Sequence, residues 1–413
     1  MNTPQSAQRW DVVIIGGGAA GIAAAASLLK RRADLAVAIV EPSDRHYYQP
    51  AWTLVGGGAF NPAATHRATA SLIPKGAKWI RAAAQRFEPD NHTVVLDDGS
   101  RLEYRAMVVA TGLTLNVNAI DGLAESLGKH GVTSNYIFEH ASYTWQCVQQ
   151  LASGRALFTQ PPMPIKCAGA PQKAMYLSCH HWEKQQCLSD IDVQFHNAGP
   201  VLFGVAEFVP PLMEYVKRYS TTLNFSSKLI AVDGPGKTAV FADTLENGES
   251  RERSETFDML HVVPPQQAPE CIRNSPLANG EGWVAADKDT LQHPTYPNIF
   301  TLGDVSGTAN AKTAAAVRKQ APVVACNLLS MLDNKPLTAG YLGYGACPLT
   351  VEKGKVVLAE FGYGGVLQPS FPLNPAVARR SMWWLKTKIM PPLYFHAMLK
   401  GHEWLAAPSK LTP

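Results

Sequence analysis

No stretch of the chain carries the roughly 18 consecutive apolar residues that a membrane-spanning helix requires, so contact with a lipid surface is expected to be peripheral. The opening segment MNTPQSAQRWDVVIIGGG lacks the apolar core of a signal peptide and any twin arginine, and only one basic residue precedes the first apolar run. A mature start near Met1 is therefore expected. Lys and Arg total 37 against 33 Asp and Glu, a formal net charge of +4, but no long basic run occurs and no nucleic-acid partner is expected. Cysteine is sparse and odd in number, with seven spread over positions 147 to 347. That pattern argues against a secreted disulfide framework and suits one or two reactive thiols among small core residues. Disorder is excluded by a composition 46% hydrophobic and only 17% charged, and 413 residues suffice for two or three domains.

What is present begins at Asp11. The segment DVVIIGGGAAG, the Ala-rich IAAAASLLKRR and AVAIVE read as strand, tight turn, helix and strand, a complete βαβ unit. Gly16, Gly17, Gly18 and Gly21 fill the turn, with the GxGxxG spacing that permits close approach of backbone to a pyrophosphate and close helix–strand packing. Glu41 ends the second strand, where a carboxylate can accept hydrogen bonds from an adenosine ribose. Two later segments choose between FAD and NAD. YRAMVVATG is a buried-type strand ending at Gly112, and YPNIFTLGDVSG is another, ending at Asp304. The pairing resembles flavoprotein disulfide-reductase-like folds, in which the late Asp bonds the flavin ribityl chain; the alternative for Asp304 is a plain turn residue. KTAAAV then starts a helix whose free N–H groups would face the flavin pyrimidine. Lys312 at its head would either add positive charge there or be solvated.

The chain thus returns late to its first unit. The expected fold class is α/β with two Rossmann-like units: a discontinuous FAD-binding domain, 1–114 and 286–340, with a second domain, 115–285, inserted. A C-terminal segment, 341–413, completes the chain. The second domain has a strand–loop–helix–strand pattern but no GxGxxG in its loop. Pro161, Pro162 and Pro164 stiffen that loop, Cys167 follows, and Gly169 keeps the backbone small beside it. An NAD(P)H site loses most of its support, because no glycine pair permits close approach of a pyrophosphate. Cys167 lies near the start of the helix APQKAMYLSCHHW, where the helix dipole and Lys166 or Lys173 would lower a thiol pKa, although a buried inert cysteine is the competing reading. Cys179, Cys187, His180 and His181 fit no common zinc spacing, and no metal is expected.

The segments RHYYQPAWTLVGGG, PIKCAGAPQKAMYLS, MLHVVPP, GWVAADKDTLQHPTYPNIFTLGDVSGTANAKTAAAV, GACPLT and VVLAEFGYGG resemble sulfide:quinone oxidoreductases, in the subgroup that includes the mitochondrial enzymes. The resemblance runs from about residue 10 to 405. It implies non-covalent FAD, since no cysteine precedes Cys147, and two redox cysteines at Cys167 in KCAGAPQK and Cys347 in ACPL. It further implies FAD contacts at Glu41, at Gln49, at the backbone near Ala84, and at Lys312, Thr313, Ala314 and Ala315. The implied reaction is attack of hydrogen sulfide on a disulfide or sulfur-bridged pair of Cys167 and Cys347. Cys347 would carry the persulfide while Cys167 passes two electrons to FAD, and from sequence alone the roles are interchangeable. A small acceptor (sulfide, glutathione or sulfite) would take the sulfur, and ubiquinone or menaquinone the electrons.

Residues 376–405 mix Trp383, Trp384, Phe395 and Trp404 with Arg379, Arg380, Lys386, Lys388 and Lys400, and Pro391 and Pro392 are expected to break them into two short helices. Such a segment suits a headgroup boundary and is read as an amphipathic membrane anchor delivering quinone; packing on the FAD domain or a partner subunit is the alternative. Phe361 and Tyr363 either line a quinone pocket or are core. A peripheral position on the cytoplasmic face of a bacterial inner membrane is expected, with the oligomeric state left open. The competing activity is that of a type II NADH:quinone oxidoreductase-like flavoprotein, which needs the absent second glycine loop.

Overall fold

The computed structural model describes residues 8–411; the start expected near Met1 lies outside them. A seven-stranded sheet forms around Gln8–Ile15, which pairs in parallel with Val37–Val40 on one side and Arg101–Val109 on the other. Val37–Val40 pairs with Ala77–Ile80, and Arg101–Val109 takes Ile299–Thr301 as a further parallel partner, so the chain re-enters this sheet almost 200 residues later. Val12, Val13, Ile14 and Ile15 form an unbroken apolar run because both faces of this strand are covered, and each is at most 2% exposed. Helix Ala19–Arg31 follows the glycine turn and packs on helix Ala314–Leu332, where the alanines of both allow close approach. Both helices begin at the same end of the sheet, at the carboxyl ends of the strands preceding them. That end is where α/β sheets place their ligands.

A second sheet of five parallel strands runs in the order Val132–Thr133, Met259–His261, Gly154–Gln160, Ile191–Asn197 and Thr222–Phe225. Helix Ala170–Lys184 covers it with Met175, Tyr176, Cys179 and Trp182 buried, and an antiparallel sheet of Ser227–Asp233, Thr238–Thr244 and Ser250–Thr256 adjoins it. The architecture is α/β with Rossmann-like sheets.

The described C-terminal residues form one small cluster of their own, around Val356, Leu358 and Met382, and otherwise join the cores of the two sheets. Gly345–Glu352 and Lys355–Phe361 form a hairpin whose Cys347, Leu349, Val351, Val357 and Ala359 join the apolar cluster of the second sheet. Tyr394, Phe395, Met398 and Leu399 join the cluster of the first. The expected two short α-helices are present, but a π-turn joins them where a break was expected. Helix Arg380–Trp384 runs through a π-turn, Leu385–Ile389, into helix Met390–His396, and the two prolines sit in the opening turn of that last helix, where missing N–H groups are tolerated. Among the described residues, no helix is long and apolar enough to cross a membrane.

Candidate active site

The glycine turn is shaped by contacts that exclude side chains. Gly16 has φ +106°, and a Cβ there would lie 2.3 Å from the Ala110 carbonyl oxygen; one on Gly21 would lie 1.8 Å from that of Gly16. Gly17 lies against Glu41, whose Oε2 accepts from its N–H at 2.8 Å while Oε1 accepts from Ser43 N–H at 2.8 Å. The carboxylate is thereby fixed with lone pairs to spare. Gly18, by contrast, faces open space: a Cβ built there meets nothing within 4 Å, and the same holds for Gly112 at φ +70°. A bare helix start, an oriented carboxylate and an open cradle fit the pyrophosphate and ribose of FAD.

Across the cradle, Thr313 caps helix Ala314–Leu332, its hydroxyl accepting from Ala316 N–H at 3.2 Å, and Ala314 and Ala315 open the first turn. Lys312 is not solvated. It is 6% exposed, lies 4.2 Å from the Trp283 ring centroid, and donates to the Asp304 and Ser306 carbonyls at 2.7 and 2.9 Å. Burial lowers its pKa to about 8 against the pull of Asp304, whose own carboxyl is raised, chiefly by burial. Asp304, Lys312 and the capped helix start form one group. Gln49 is exposed and accepts from Lys166 Nζ at 2.7 Å. Ala84 opens the edge strand Ala84–Glu88 and lines a surface cleft with Phe87, Asp97 and Cys271.

The two candidate cysteines, 180 positions apart in sequence, meet. Their sulfurs are 3.2 Å apart, unbonded, and placed by the loop before helix Ala170–Lys184 and by the C-terminal hairpin. Cys167 holds φ +50°, a region uncommon for a residue with a side chain, and its surroundings over-determine it. Its N–H donates to the Lys312 carbonyl at 3.0 Å, while its own carbonyl accepts from Ala170 N–H at 2.7 Å and the Tyr136 hydroxyl at 3.2 Å. The cysteine is thus tethered directly to the residue that precedes the Thr313 cap of helix Ala314–Leu332. Gly169 completes the approach, since a Cβ there would fall 2.2 Å from Leu349 Cδ2 and 2.7 Å from Cys347 Sγ.

Lys173, one turn into the helix and 4% exposed, donates to Cys167 Sγ at 3.1 Å and lies 3.7 Å from Cys347 Sγ. The hydrogen bond from Cys347, together with the Lys173 charge, holds the Cys167 thiol well below its ordinary pKa against burial. The same bond, followed by burial, pushes Cys347 well above its own. Burial opposes the Lys173 charge, but the facing thiolate overrides it and raises the Lys173 pKa. Of the two thiols, Cys167 is therefore the one that ionises first, beside the Lys173 ammonium.

A second lysine is where the sequence reading did not put it. Lys386, expected at a lipid surface, is 5% exposed and donates to the Pro348 carbonyl at 3.0 Å and to Thr350 Oγ1 at 2.6 Å, on the hairpin strand that carries Cys347. Burial, then the Lys173 charge, drives its pKa well below the usual value. Phe395, also expected at lipid, is 4% exposed, with the Arg67 guanidinium 4.7 Å from its ring centroid. Tyr136, absent from the sequence reading, donates to the Lys166 carbonyl at 3.1 Å as well as to that of Cys167, and no spacing in its neighbourhood signals this. Phe361 packs edge-on against Phe203, and the Tyr363 hydroxyl donates to the Lys288 carbonyl at 2.6 Å.

Residues 10–148 match the pyridine nucleotide-disulphide oxidoreductase family model. The mitochondrial sulfide:quinone oxidoreductase of Mus musculus is 38% identical over 95% of this chain and 87% of its own. This chain belongs to the sulfide:quinone oxidoreductase family. The mitochondrial sulfide:quinone oxidoreductase of Dictyostelium discoideum is likewise 38% identical, over 91% of this chain and 82% of its own. The crystal structure of the sulfide:quinone oxidoreductase from Aquifex aeolicus shares the fold, with a TM-score of 0.77 at 22% identity over 96% of this chain and 92% of that one.

Proposed function

We propose that this chain oxidises hydrogen sulfide at the Cys167–Cys347 pair and delivers two electrons, through bound FAD, to ubiquinone or menaquinone. The observation that carries the reading is the meeting of two cysteines at 3.2 Å under one buried ammonium, beside the helix start that faces the nucleotide cradle. Closing the sulfurs to a disulfide requires a contraction of roughly 1.2 Å. Hydrosulfide attacks Cys347 Sγ of the oxidised pair; a sulfur–sulfur bond forms there, the Cys347–Cys167 bond breaks, and Cys167 leaves as the thiolate. The shorter Lys173 contact to Cys167 supports this assignment, because the ammonium stabilises the leaving sulfur. A second nucleophile, whether sulfide, glutathione or sulfite, then takes the outer sulfur from Cys347. Bound FAD supplies the two-electron acceptor that re-forms the pair and the donor to quinone. Glu41, Gly16, Gly17, Gly18, Gly21 and Gly112 are assigned to the dinucleotide, with Gln49 and the backbone near Ala84; Asp304, Lys312, Thr313, Ala314 and Ala315 are assigned to the flavin end.

The proposal includes a division into 1–114 with 286–340, 115–285, and 341–413, and a peripheral lipid contact through the C-terminal segment. Trp384 at 59%, Trp404 at 72% and Leu405 at 64% exposed support that contact. A bacterial inner membrane draws no support from the relatives' names, which place those of Mus musculus and Dictyostelium discoideum in mitochondria.

Anaerobic addition of sulfide to the purified flavoprotein should bleach the flavin absorbance, whereas NADH should not. Cys167→Ser and Cys347→Ser should each keep FAD and abolish sulfide-dependent quinone reduction. Bleaching by NADH alone, or full activity in either variant, overturns the reading.

A further inference from the structure

His46 lies outside everything described so far, yet it is 4% exposed and joins two distant parts of the chain. Its Nδ1 is 3.1 Å from the carbonyl oxygen of Gly17, and its Nε2 is 2.7 Å from the Tyr394 hydroxyl on helix Met390–His396. A carbonyl only accepts, so Nδ1 carries the proton and Nε2 accepts from the tyrosine. Tyr394 is itself held in an aromatic pocket, with ring centroids 4.8 Å from Tyr48 and 5.0 Å from Phe395. The imidazole therefore has little freedom.

The consequence falls on the peptide linking Gly17 and Gly18. The N–H of Gly17 is already committed to Glu41 at 2.8 Å. With its carbonyl committed to His46, that planar trans peptide is fixed, and the N–H of Gly18 points away from the imidazole. Gly18 is the residue before helix Ala19–Arg31 and has open space around it. Two glycines in succession leave this turn free to rotate unless something holds it. We propose that His46 is a positioning residue for FAD: it locks the Gly17–Gly18 peptide with its N–H toward the cofactor's pyrophosphate, and Tyr394 locks His46. The C-terminal helix is thereby part of the apparatus that holds the cofactor. This rests on the assignment of the glycine turn to FAD, which a purified protein without flavin would defeat before His46 is tested.

The test is the rate of FAD release from the full-length holoprotein, read as the rise in flavin fluorescence on dilution, alongside FAD titration of the apoprotein. His46→Leu keeps the bulk and removes the donor; it should release FAD about tenfold faster. His46→Asn places an amide N–H where Nδ1 stands and should hold release within about threefold of the parent, although it cannot reach Tyr394. Tyr394→Phe, which removes one oxygen, should fall between them. Parent-like release from His46→Leu overturns the proposal. So does equally fast release from the Leu and Asn variants, which would assign the effect to packing. Should His46→Leu fail to fold, His46→Asn and Tyr394→Phe decide together: release within threefold from the Asn variant with faster release from Tyr394→Phe upholds the proposal, and tenfold acceleration by Asn, or parent-like release from both, overturns it.

Discussion

Lys173 treats its two sulfurs unequally, at 3.1 Å from Cys167 and 3.7 Å from Cys347. A charge-assisted hydrogen bond contributes about 1.5–3 kcal/mol, which is roughly one to two pKa units on the thiol it stabilises. Lys173→Met keeps the length of the side chain and removes the charge, so the Cys167 thiol should titrate at least about one unit higher. Alkylation with iodoacetamide across pH reads this directly, as an upward move of the profile's midpoint by at least about one unit. An unmoved alkylation profile would remove Lys173 from the electrostatics of the pair. Lys173 was legible in the sequence only as one of two neighbouring lysines. The fold separates them, because Lys166 turns outward to Gln49 while Lys173 lies one helical turn inward. Lys386 was misread for a related reason. Among tryptophans and other basic residues it has the local pattern of a headgroup-facing cation, and only the hairpin 36 positions upstream, with Thr350 waiting, makes it a buried donor.

The glycine turn, its helix and Glu41 were legible because their spacing is local, all within one βαβ unit. The loop holding Cys167 was legible as a strand-to-helix turn without glycine pairs. The position of Cys347 was not: it depends on a hairpin from the far end of the chain packing on helix Ala170–Lys184, and the resemblance alone supplied the cysteine's role. The C-terminal segment was half legible. Its aromatics divide between burial, as at Phe395, and exposure, as at Trp384 and Trp404. Residues 401–405 are strapped to helices Ala19–Arg31 and Ala314–Leu332. Ser27 and Arg31 donate to Glu403 at 2.6 Å each, and Arg318 donates to the Trp404 and Leu405 carbonyls at 3.1 and 3.0 Å. Cutting this segment away would therefore disturb these two helices as well as any lipid contact, and point changes on its outer face are the sharper probe. Burying a large apolar side chain contributes about 1.5–3 kcal/mol. Replacing Trp384, Trp404 and Leu405 together with Ser should weaken co-sedimentation with anionic vesicles by about a hundredfold or more while FAD stays bound. Unchanged co-sedimentation would place the lipid contact elsewhere or nowhere.

Burial of neutral imidazoles couples the stability of the entire chain to acid. His46, His196 and His261 are at most 4% exposed, and burial lowers their pKa values to about 4, about 3 and about 3. They sit in different parts of the fold. His46 is under the glycine turn; His196 stacks 3.8 Å from Phe241 between the second sheet and its antiparallel neighbour; His261 accepts the Asn135 N–H at 3.1 Å inside the second sheet. Each has a folded pKa below its unfolded value of about 6.5, so the unfolded chain takes up protons first as pH falls. The stability they contribute is fully present above about pH 6.5 and is lost progressively toward pH 4 and pH 3. From pH 6.5 to 5.5 each should cost roughly 1 kcal/mol, before the ion-paired carboxylates begin to protonate. Calorimetric unfolding should therefore show Tm falling steadily below pH 6.5. Because the three sites lie in both sheets, the two halves should lose stability together, with no acid-resistant half melting at its neutral-pH temperature. A Tm unchanged from pH 7 to 5 would mean that these imidazoles accept protons in place.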